Sequence, residues 1–426
     1  MEIKRDDYLN MLIAKKGNGL IKVITGLRRA GKSYLLFTLF KKHLLESGVK
    51  EDHIIEVELD NRLNDELRNP DNMLAYIKGI VEKDKGLYYV LLDEVQYMSE
   101  FEDVLNSLLH FKNVDVYVTG SNSKFLSKDI ITEFRGRGDE IHIFPLSFRE
   151  FMGAYDGDRY EGWAEYYTYG GLPYIMALKS EKEKINYLEK LFEEIYLMDI
   201  IERNKIGKTQ EFEDILNVLA SSISSLTNPL RIQNTFKSEL HSDISDHTIK
   251  QYIEYMEEAF LISKAQRYDV KGRKYIGTPQ KYYFEDVGLR NARIGFRQNE
   301  ENHIMENIIY NELRLRGYKV DVGVVKSRVM ENGKRENKQY EVDFVANLGS
   351  KRYYIQSAYQ MGNEEKRAQE EASFRNIDDS FKKIFIVKDV IKVQRDYNGY
   401  TTMSIFDFLL DENSLDILWD LSSPPF

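Results

Sequence analysis

The sequence predicts an α/β protein of several domains, on three observations. Short apolar runs alternate with helical patterns in the first third of the chain, and the first of these runs ends in a glycine-rich turn. The middle third changes rhythm, to helices followed by a hairpin. The last third returns to strands and helices. Alternation of this kind implies layered α/β domains, and 426 residues are enough for about three of them.

Ile21 to Thr25 reads as a buried strand, followed by the glycine-rich turn and the helical pattern YLLFTLFKKHLL. Ile54 to Leu59 is a second strand. Leu87 to Leu92 is a third, continuous and apolar as in a parallel sheet covered on both faces. FEDVLNSLLHF has helical spacing, and Val114 to Thr119 is a further strand; the domain ends near Phe151, spanning 1–152. Residues 153–208 read as helical, with the turn Gly170-Gly171-Leu172-Pro173 inside them. From 209 to 298 the pattern is a helix (Glu211–Ser224), a break at Thr227-Asn228-Pro229, a short helix (Arg231–Leu240), and a helix His247–Phe260 capped by Ser245-Asp246. Two strand-like runs follow, LISKAQRY and KYIGTPQKYYFE, joined by Asp269–Gly272. Three helices and a hairpin in that order read as a winged helix. Residues 299–426 carry a helix, three strands, a charged helix and a strand, with Ser327–Lys338 expected as a polar loop between strands.

Hydrophobic residues make up 42% and charged residues 31%, so the chain can bury several cores. It has no cysteine, which excludes disulfides, thiolate catalysis and Cys-ligated zinc or iron–sulfur sites. The charged N-terminus MEIKRDDYLN lacks the apolar stretch of a signal peptide. No run approaches the ~18 apolar residues of a membrane helix. A cytoplasmic protein without a membrane partner is the expectation. The net charge of −10 argues against coating nucleic acid wholesale, but not against a local basic surface.

The strongest motif is Gly26-Leu27-Arg28-Arg29-Ala30-Gly31-Lys32-Ser33, with Tyr34 next on the helix. Its glycines let backbone N–H groups converge on a phosphate, and the helix adds its positive end. Lys32 is expected to reach the β- and γ-phosphates of ATP, and the Ser33 hydroxyl to ligate Mg²⁺. Leu87 to Leu92 ends in Asp93-Glu94: Asp93 is expected to hold the Mg²⁺ through water, and Glu94 to activate the attacking water. Val116 to Thr119 ends in Gly120-Ser121-Asn122, where Ser121, with Asn122 close behind, is the candidate for a γ-phosphate contact; turn chemistry is the alternative. There is no N-K-x-D motif to read guanine, and the acidic pair favours hydrolysis over kinase chemistry.

These three elements in order resemble the AAA+ superfamily, as Walker A, Walker B and sensor 1. Phe134-Arg135-Gly136-Arg137-Gly138, the segment Phe144-Pro145-Leu146-Ser147-Phe148-Arg149-Glu150-Phe151 and Gly170–Pro173 narrow this to a group of prokaryotic predicted AAA+ ATPases, over nearly the whole chain. The resemblance implies an arginine acting on a neighbouring subunit's γ-phosphate in a homo-oligomer, with Arg137 or Arg135 the candidate; a surface or bridging arginine is equally open.

The winged helix suggests DNA contact. Lys264, Arg267, Lys271, Arg273, Lys274 and Lys281 stand against one acid, Asp269, and Arg290, Arg293 and Arg297 follow. Against this, Glu254, Glu257 and Glu258 on the would-be recognition helix would repel a duplex, so a partner-binding role stays open. The last third resembles the core of PD-(D/E)XK nucleases, with Glu306 and Asp343 as acids, but Gln356-Ser357-Ala358 stands where acid-x-lysine is needed. Cleavage is therefore not expected. The expectation is a parallel-sheet P-loop AAA+ domain with a helical lid, a winged helix and a degenerate nuclease-like α/β domain, binding and hydrolysing Mg-ATP to drive a macromolecular interaction. A nucleotide-gated DNA-binding regulator with little turnover is the alternative, and an ATP-dependent nuclease is disfavoured.

Overall fold

The computed structural model describes residues 3–121, 136–240, 243–297, 300–331, 334–359 and 364–416. The chain divides into two compact units. The first comprises Met1–Pro145 with the short segments Leu172–Tyr174 and Glu257–Phe260; the second takes the rest.

The first unit is built on a five-stranded parallel sheet. Its strands are β1 (Ile21–Gly26), β2 (Ile54–Glu58), β3 (Tyr88–Asp93), β4 (Val114–Thr119) and β5 (Gly138–Ile143), in the order β2-β3-β4-β1-β5. The four expected strands are present. β5 was not legible because its sequence, GDEIHI, is half polar and its residues alternate in exposure, as befits an edge strand. β1 and β3 are buried along their whole length. Even Lys22 is inside, its ammonium paired with Asp115 on the neighbouring β4, which offsets the cost of taking its charge out of water. One apolar cluster joins Val23, Val57, Val90 and Val118 of the sheet to Met73, Ile77 and Leu105 of the helices over it.

The second unit begins at Leu146 within the PLSFREF segment, which proves to be a helix start. Ser147 Oγ accepts from Glu150 N at 3.1 Å, and Glu150 Oε2 accepts from Ser147 N at 2.9 Å. This capping box contributes about 1 kcal/mol, while Phe148 and Phe151 are buried on the helix Phe148–Ala154. The Gly170-Gly171 turn closes the next helix, Arg159–Tyr169, against the carboxylate of Asp286. Gly171 N donates to Asp286 Oδ2 at 2.8 Å, and a Cβ on Gly170 would lie 2.3 Å from Asp286 Oδ1.

A helical run over 181–203 follows, then helices at Thr209–Ser221, Pro229–Thr235 and Asp246–Glu258, and then the hairpin β6 (Ile262–Asp269) and β7 (Lys274–Phe284). The hairpin is part of a larger sheet. β6 pairs in parallel with β8 (Lys319–Glu331), through Arg267↔Val322 to Asp269↔Val324. With β9 (Lys334–Leu348), β10 (Lys351–Ala358), β11 (Lys382–Val387), β12 (Gln394–Arg395) and β13 (Thr401–Ser404), the order is β12-β13-β11-β10-β9-β8-β6-β7. One sheet thus runs across the boundary expected at 298. The expected loop over 327–338 is instead ladder: β8 and β9 pair from Ser327↔Lys338 to Glu331↔Lys334. Its polarity reflects strands flanked by no others among the described residues, and Asn332-Gly333 between them is the two-residue hairpin signal.

Candidate nucleotide site and a second lysine–carboxylate cluster

The P-loop lies where β1 meets the helix that starts at Lys32. Gly26 has φ +135°, and a Cβ there would lie 2.1 Å from the Ile143 carbonyl oxygen on β5, so no other residue fits. Gly31 sits at φ +98°, the left-handed conformation that begins the helix. Lys32 is buried, and its ammonium donates to the carbonyls of Gly26 and Leu27, both at 3.1 Å. Burial lowers its pKa, against the attraction of Glu94 and Asp93. A buried ammonium resting on backbone carbonyls is available to a phosphate that supplies better acceptors.

The parallel order brings the ends of β3 and β4 alongside. Ser33 Oγ donates to Asp93 Oδ2 at 2.7 Å, and the Thr119 hydroxyl donates to the other carboxylate oxygen. Burial pushes the Asp93 carboxyl up to about 6, against these two hydrogen bonds. Glu94, at φ +51°, has its backbone N–H on Thr119 Oγ1 at 2.9 Å. Its side chain accepts from Ser121 Oγ at 3.0 Å and from the Gln96 amide. Arg28 Nε donates to Ser121 Oγ at 3.2 Å.

Lys32, Ser33, Asp93, Glu94, Ser121 and Arg28 therefore converge. Arg29 is exposed at φ +63°, Leu27 and Ala30 are buried in the loop, and Tyr34 is half-buried on the helix. Arg137 is exposed and lies just before β5, whose first residue, Gly138, is level with Ile21 at the opposite end of β1 from the P-loop. Asn122 and Arg135 lie outside the described residues.

Three contributors escaped sequence reasoning. Thr119 and Gln96 flank the acid pair. Arg5 is buried and donates to Ala30 O at 3.3 Å and Phe144 O at 2.7 Å, bracing the loop from the N-terminus. Thr119 and Gln96 were within reach of strand-end reasoning. Arg5 carries no local signal.

The Ser33–Asp93 pair suits Mg²⁺, which usually takes one or two protein ligands and completes its shell with phosphate oxygens and water. Among the described residues no group of three or more His, Cys, Asp or Glu could hold a metal ion by itself.

The second cluster lies in the second unit. Glu306, on the helix Glu301–Leu315, and Asp343, on β9, lie against one and the same lysine. Between them stands Lys281 of β7, 2.8 Å from Glu306, 2.9 Å from Glu341 and 3.5 Å from Asp343. Tyr283 donates to Glu306 at 2.7 Å, and Ser357 N to Asp343 at 2.8 Å. Gln356 donates to Glu370 at 3.1 Å, and Ala358 is buried in an apolar cluster with Tyr354 and Phe374. Burial opposes the Lys281 charge, yet Glu306, Asp343 and Glu341 outweigh it and hold its pKa above that of ordinary lysine. Burial, with Glu306 nearby, pushes Asp343 up to about 7.

Lys281 therefore does not belong to an exposed basic face, nor do Arg267 and Arg290, which are buried. Arg293 is also withdrawn, paired with Glu193 at 3.0 Å and Glu213 at 3.1 Å. The strand's alternation and the long reach of arginine turn these groups inward. Lys264, Lys271, Arg273, Lys274 and Arg297 remain exposed.

A family model described as an AAA domain matches residues 18–152, and one for a domain of unknown function, DUF8612, matches residues 160–300. An uncharacterized protein of Haemophilus influenzae is 32% identical over 413 residues, covering 96% of this chain and 98% of that protein. Uncharacterized protein MJ1544 of Methanocaldococcus jannaschii is 30% identical over 389 residues, covering 88% of this chain and 82% of its own. The Walker-type ATPase PABY2304 of Pyrococcus abyssi is 14% identical, with a TM-score of 0.49, covering 69% of this chain and 96% of that one. The chain belongs to a prokaryotic family of P-loop AAA+ ATPase-like proteins, together with the Haemophilus and Methanocaldococcus relatives. No helix among the described residues is long and apolar enough to cross a membrane.

Proposed function

We propose that this chain binds and hydrolyses Mg-ATP and uses the cycle to drive or switch its interaction with a macromolecular partner, DNA being the first candidate. The observation that carries the reading is the convergence of Lys32, Ser33, Asp93 and Glu94 at the carboxyl ends of β1 and β3. Lys32 would exchange its two carbonyl acceptors for phosphate oxygens. Ser33 and Asp93 would hold Mg²⁺, which supplies charge neutralisation on the phosphates. Glu94 would accept the proton of the attacking water, with Ser121 and Gln96 orienting its carboxylate. Arg28, through Ser121, would fix the same group from the P-loop side.

Arg137 cannot serve its own subunit's P-loop from the far end of β1. Its role would be in trans, in a homo-oligomer. Specific activity should then rise with protein concentration in the wild type and stay flat in Arg137→Ala. For DNA, the exposed Lys271, Arg273 and Lys274 around the β6–β7 turn are the favoured contact. The experiment that tests the whole reading is steady-state ATP hydrolysis with and without duplex or single-stranded DNA. Turnover that requires Mg²⁺ and changes when DNA is added supports it. Absence of turnover under every condition refutes the hydrolytic part.

A further inference from the structure

The P-loop carries two adjacent arginines that its phosphate-binding pattern does not require, Arg28 and Arg29. The fold treats them differently. Arg29, at φ +63°, is exposed, whereas Arg28 is half-buried and reaches the segment after β4, where its Nε donates to Ser121 Oγ at 3.2 Å. Ser121 Oγ in turn donates to Glu94 Oε2 at 3.0 Å. The guanidinium thus stands two hydrogen bonds from the group assigned to take the proton of water. It also stands near Lys32. Burial first, and the Arg28 charge after it, lower the Lys32 pKa, while Glu94 and Asp93 raise it. Two cations brought this close repel each other, and an anion bound between them relieves that cost.

The inference rests on the ATP reading and adds a second charge to it. If Lys32 holds the phosphates and Glu94 is the base, the phosphate under attack has to lie between them, and Arg28 is close to both. In hydrolysis the water oxygen forms a bond to the γ-phosphorus while the bond from that phosphorus to the β–γ bridging oxygen breaks. The electron pair of the broken bond leaves with ADP, and the water proton goes to Glu94. Negative charge moves onto the bridging oxygen and is spread over the γ-phosphate oxygens, so a fixed cation there favours the transition state over the bound substrate. Arginine can act in this way without leaving Ser121, because the Nε and Nη donors of its planar fork point in different directions.

We infer that Arg28 is a catalytic residue whose guanidinium contacts the γ-phosphate of ATP bound in its own subunit, an arginine finger supplied in cis. The contribution proposed for Arg137 is separate, since that residue lies at the opposite end of β1 and acts on a neighbour.

The test compares the full chain with Arg28→Ala and Arg28→Lys. Turnover is measured at steady state, and affinity is measured for ADP alone and for ADP with Mg²⁺ and aluminium fluoride, which mimics the phosphoryl group in transfer. Arg28→Ala should lower kcat by a factor on the order of 10³, by the same ratio at every protein concentration. Its ADP affinity should stay within about threefold of wild type, because ADP lacks the group that Arg28 touches. Aluminium fluoride should tighten ADP binding in wild type and not in the variant. Arg28→Lys keeps the charge and much of the packing but not the fork, and should lose at least about tenfold in kcat while retaining ADP; it decides the matter if Arg28→Ala loses ADP binding altogether. Millimolar guanidinium should restore part of the turnover of Arg28→Ala. A side chain that only braced Ser121 would have no further effect once that hydroxyl is gone, so Arg28→Ala is also made in the Ser121→Ala background, where it should still lower turnover. No further loss there, or wild-type kcat in Arg28→Ala and Arg28→Lys, overturns this inference alone. Absence of turnover in the wild type overturns the hydrolytic reading and this inference with it.

Discussion

Two lysine–carboxylate clusters built from the same residue types end up in opposite chemical states. Lys32, beside Asp93 and Glu94, spends its hydrogen bonds on the carbonyls of Gly26 and Leu27, while the carboxylates take hydroxyl and amide donors from Ser33, Thr119, Ser121 and Gln96. Lys281 is enclosed by Glu306, Glu341 and Asp343. In the first cluster an incoming phosphate meets an ammonium it can capture without breaking an ion pair. In the second, the acids that a nuclease would need for a metal are already neutralised by an internal cation. The difference teaches that residue inventory sets what a site could do, and pairing sets what is left free to do it.

The comparison can be broken most forcefully at Lys32. Lys32→Ala should abolish measurable turnover, a loss on the order of a hundredfold or more, and strongly weaken nucleotide binding, as followed by ATPase assay and a fluorescent ATP analogue. Full turnover in this variant would mean that the first cluster is not the working one.

At the second cluster the same kind of change should act on stability. Lys281→Met leaves three carboxylates without their cation, two of them buried, and should cost about 3–5 kcal/mol, a fall of roughly 10 °C in the melting of the second unit. Nucleotide binding should persist. Neither this variant nor the wild type should cleave DNA or RNA with Mg²⁺ or Mn²⁺. Wild-type cleavage that is lost in both Asp343→Ala and Lys281→Met would show that Lys281 serves catalysis from its position on β7.

A buried carboxylate outside both clusters, Asp286, sharpens the contrast because no cation among the described residues pairs with it. Burial pushes Asp286 up to about 6 from 3.8, although the backbone N–H groups of Gly171, Leu289 and Gly288 favour its charge. Between those two values the folded chain retains a proton that the unfolded chain has released, so the stability this residue contributes is fully present below about pH 4 and diminishes as pH rises to about 6. Asn has no such titration. The stability advantage of wild type over Asp286→Asn, from urea titrations at a series of pH values, should therefore shrink across that window and stay level above it. A constant difference would show that Asp286 does not titrate there.

How much of this was legible depended on sequence distance. β1, β3 and the P-loop are local patterns, and Asp93-Glu94 at a strand end is read from eight consecutive residues. β5 escaped because an edge strand needs few apolar residues, and the β8–β9 ladder because its polar composition outweighed the Asn332-Gly333 signal. The neutralisation of Glu306 and Asp343 was not legible at all: Lys281 lies 25 and 62 residues away from them, and within its own hairpin it read as one more exposed cation. Arg5 on Ala30 and Phe144 is a contact of the same kind. The PLSFREF and Gly170–Pro173 segments were visible as motifs, but their physical roles, a capping box and a turn anchored on Asp286, required the partners to be in place.

The measurement that bears most directly on the account is steady-state Mg-ATP hydrolysis by wild type and Glu94→Gln at equal nucleotide occupancy. Glu94 is the one group assigned to take the proton from water, and the amide cannot accept it. The account predicts that Glu94→Gln binds ATP as tightly as wild type while its turnover falls by a factor on the order of 10²–10⁴. Equal turnover in the two proteins, with ATP bound in both, would contradict it and remove Glu94 from the reaction.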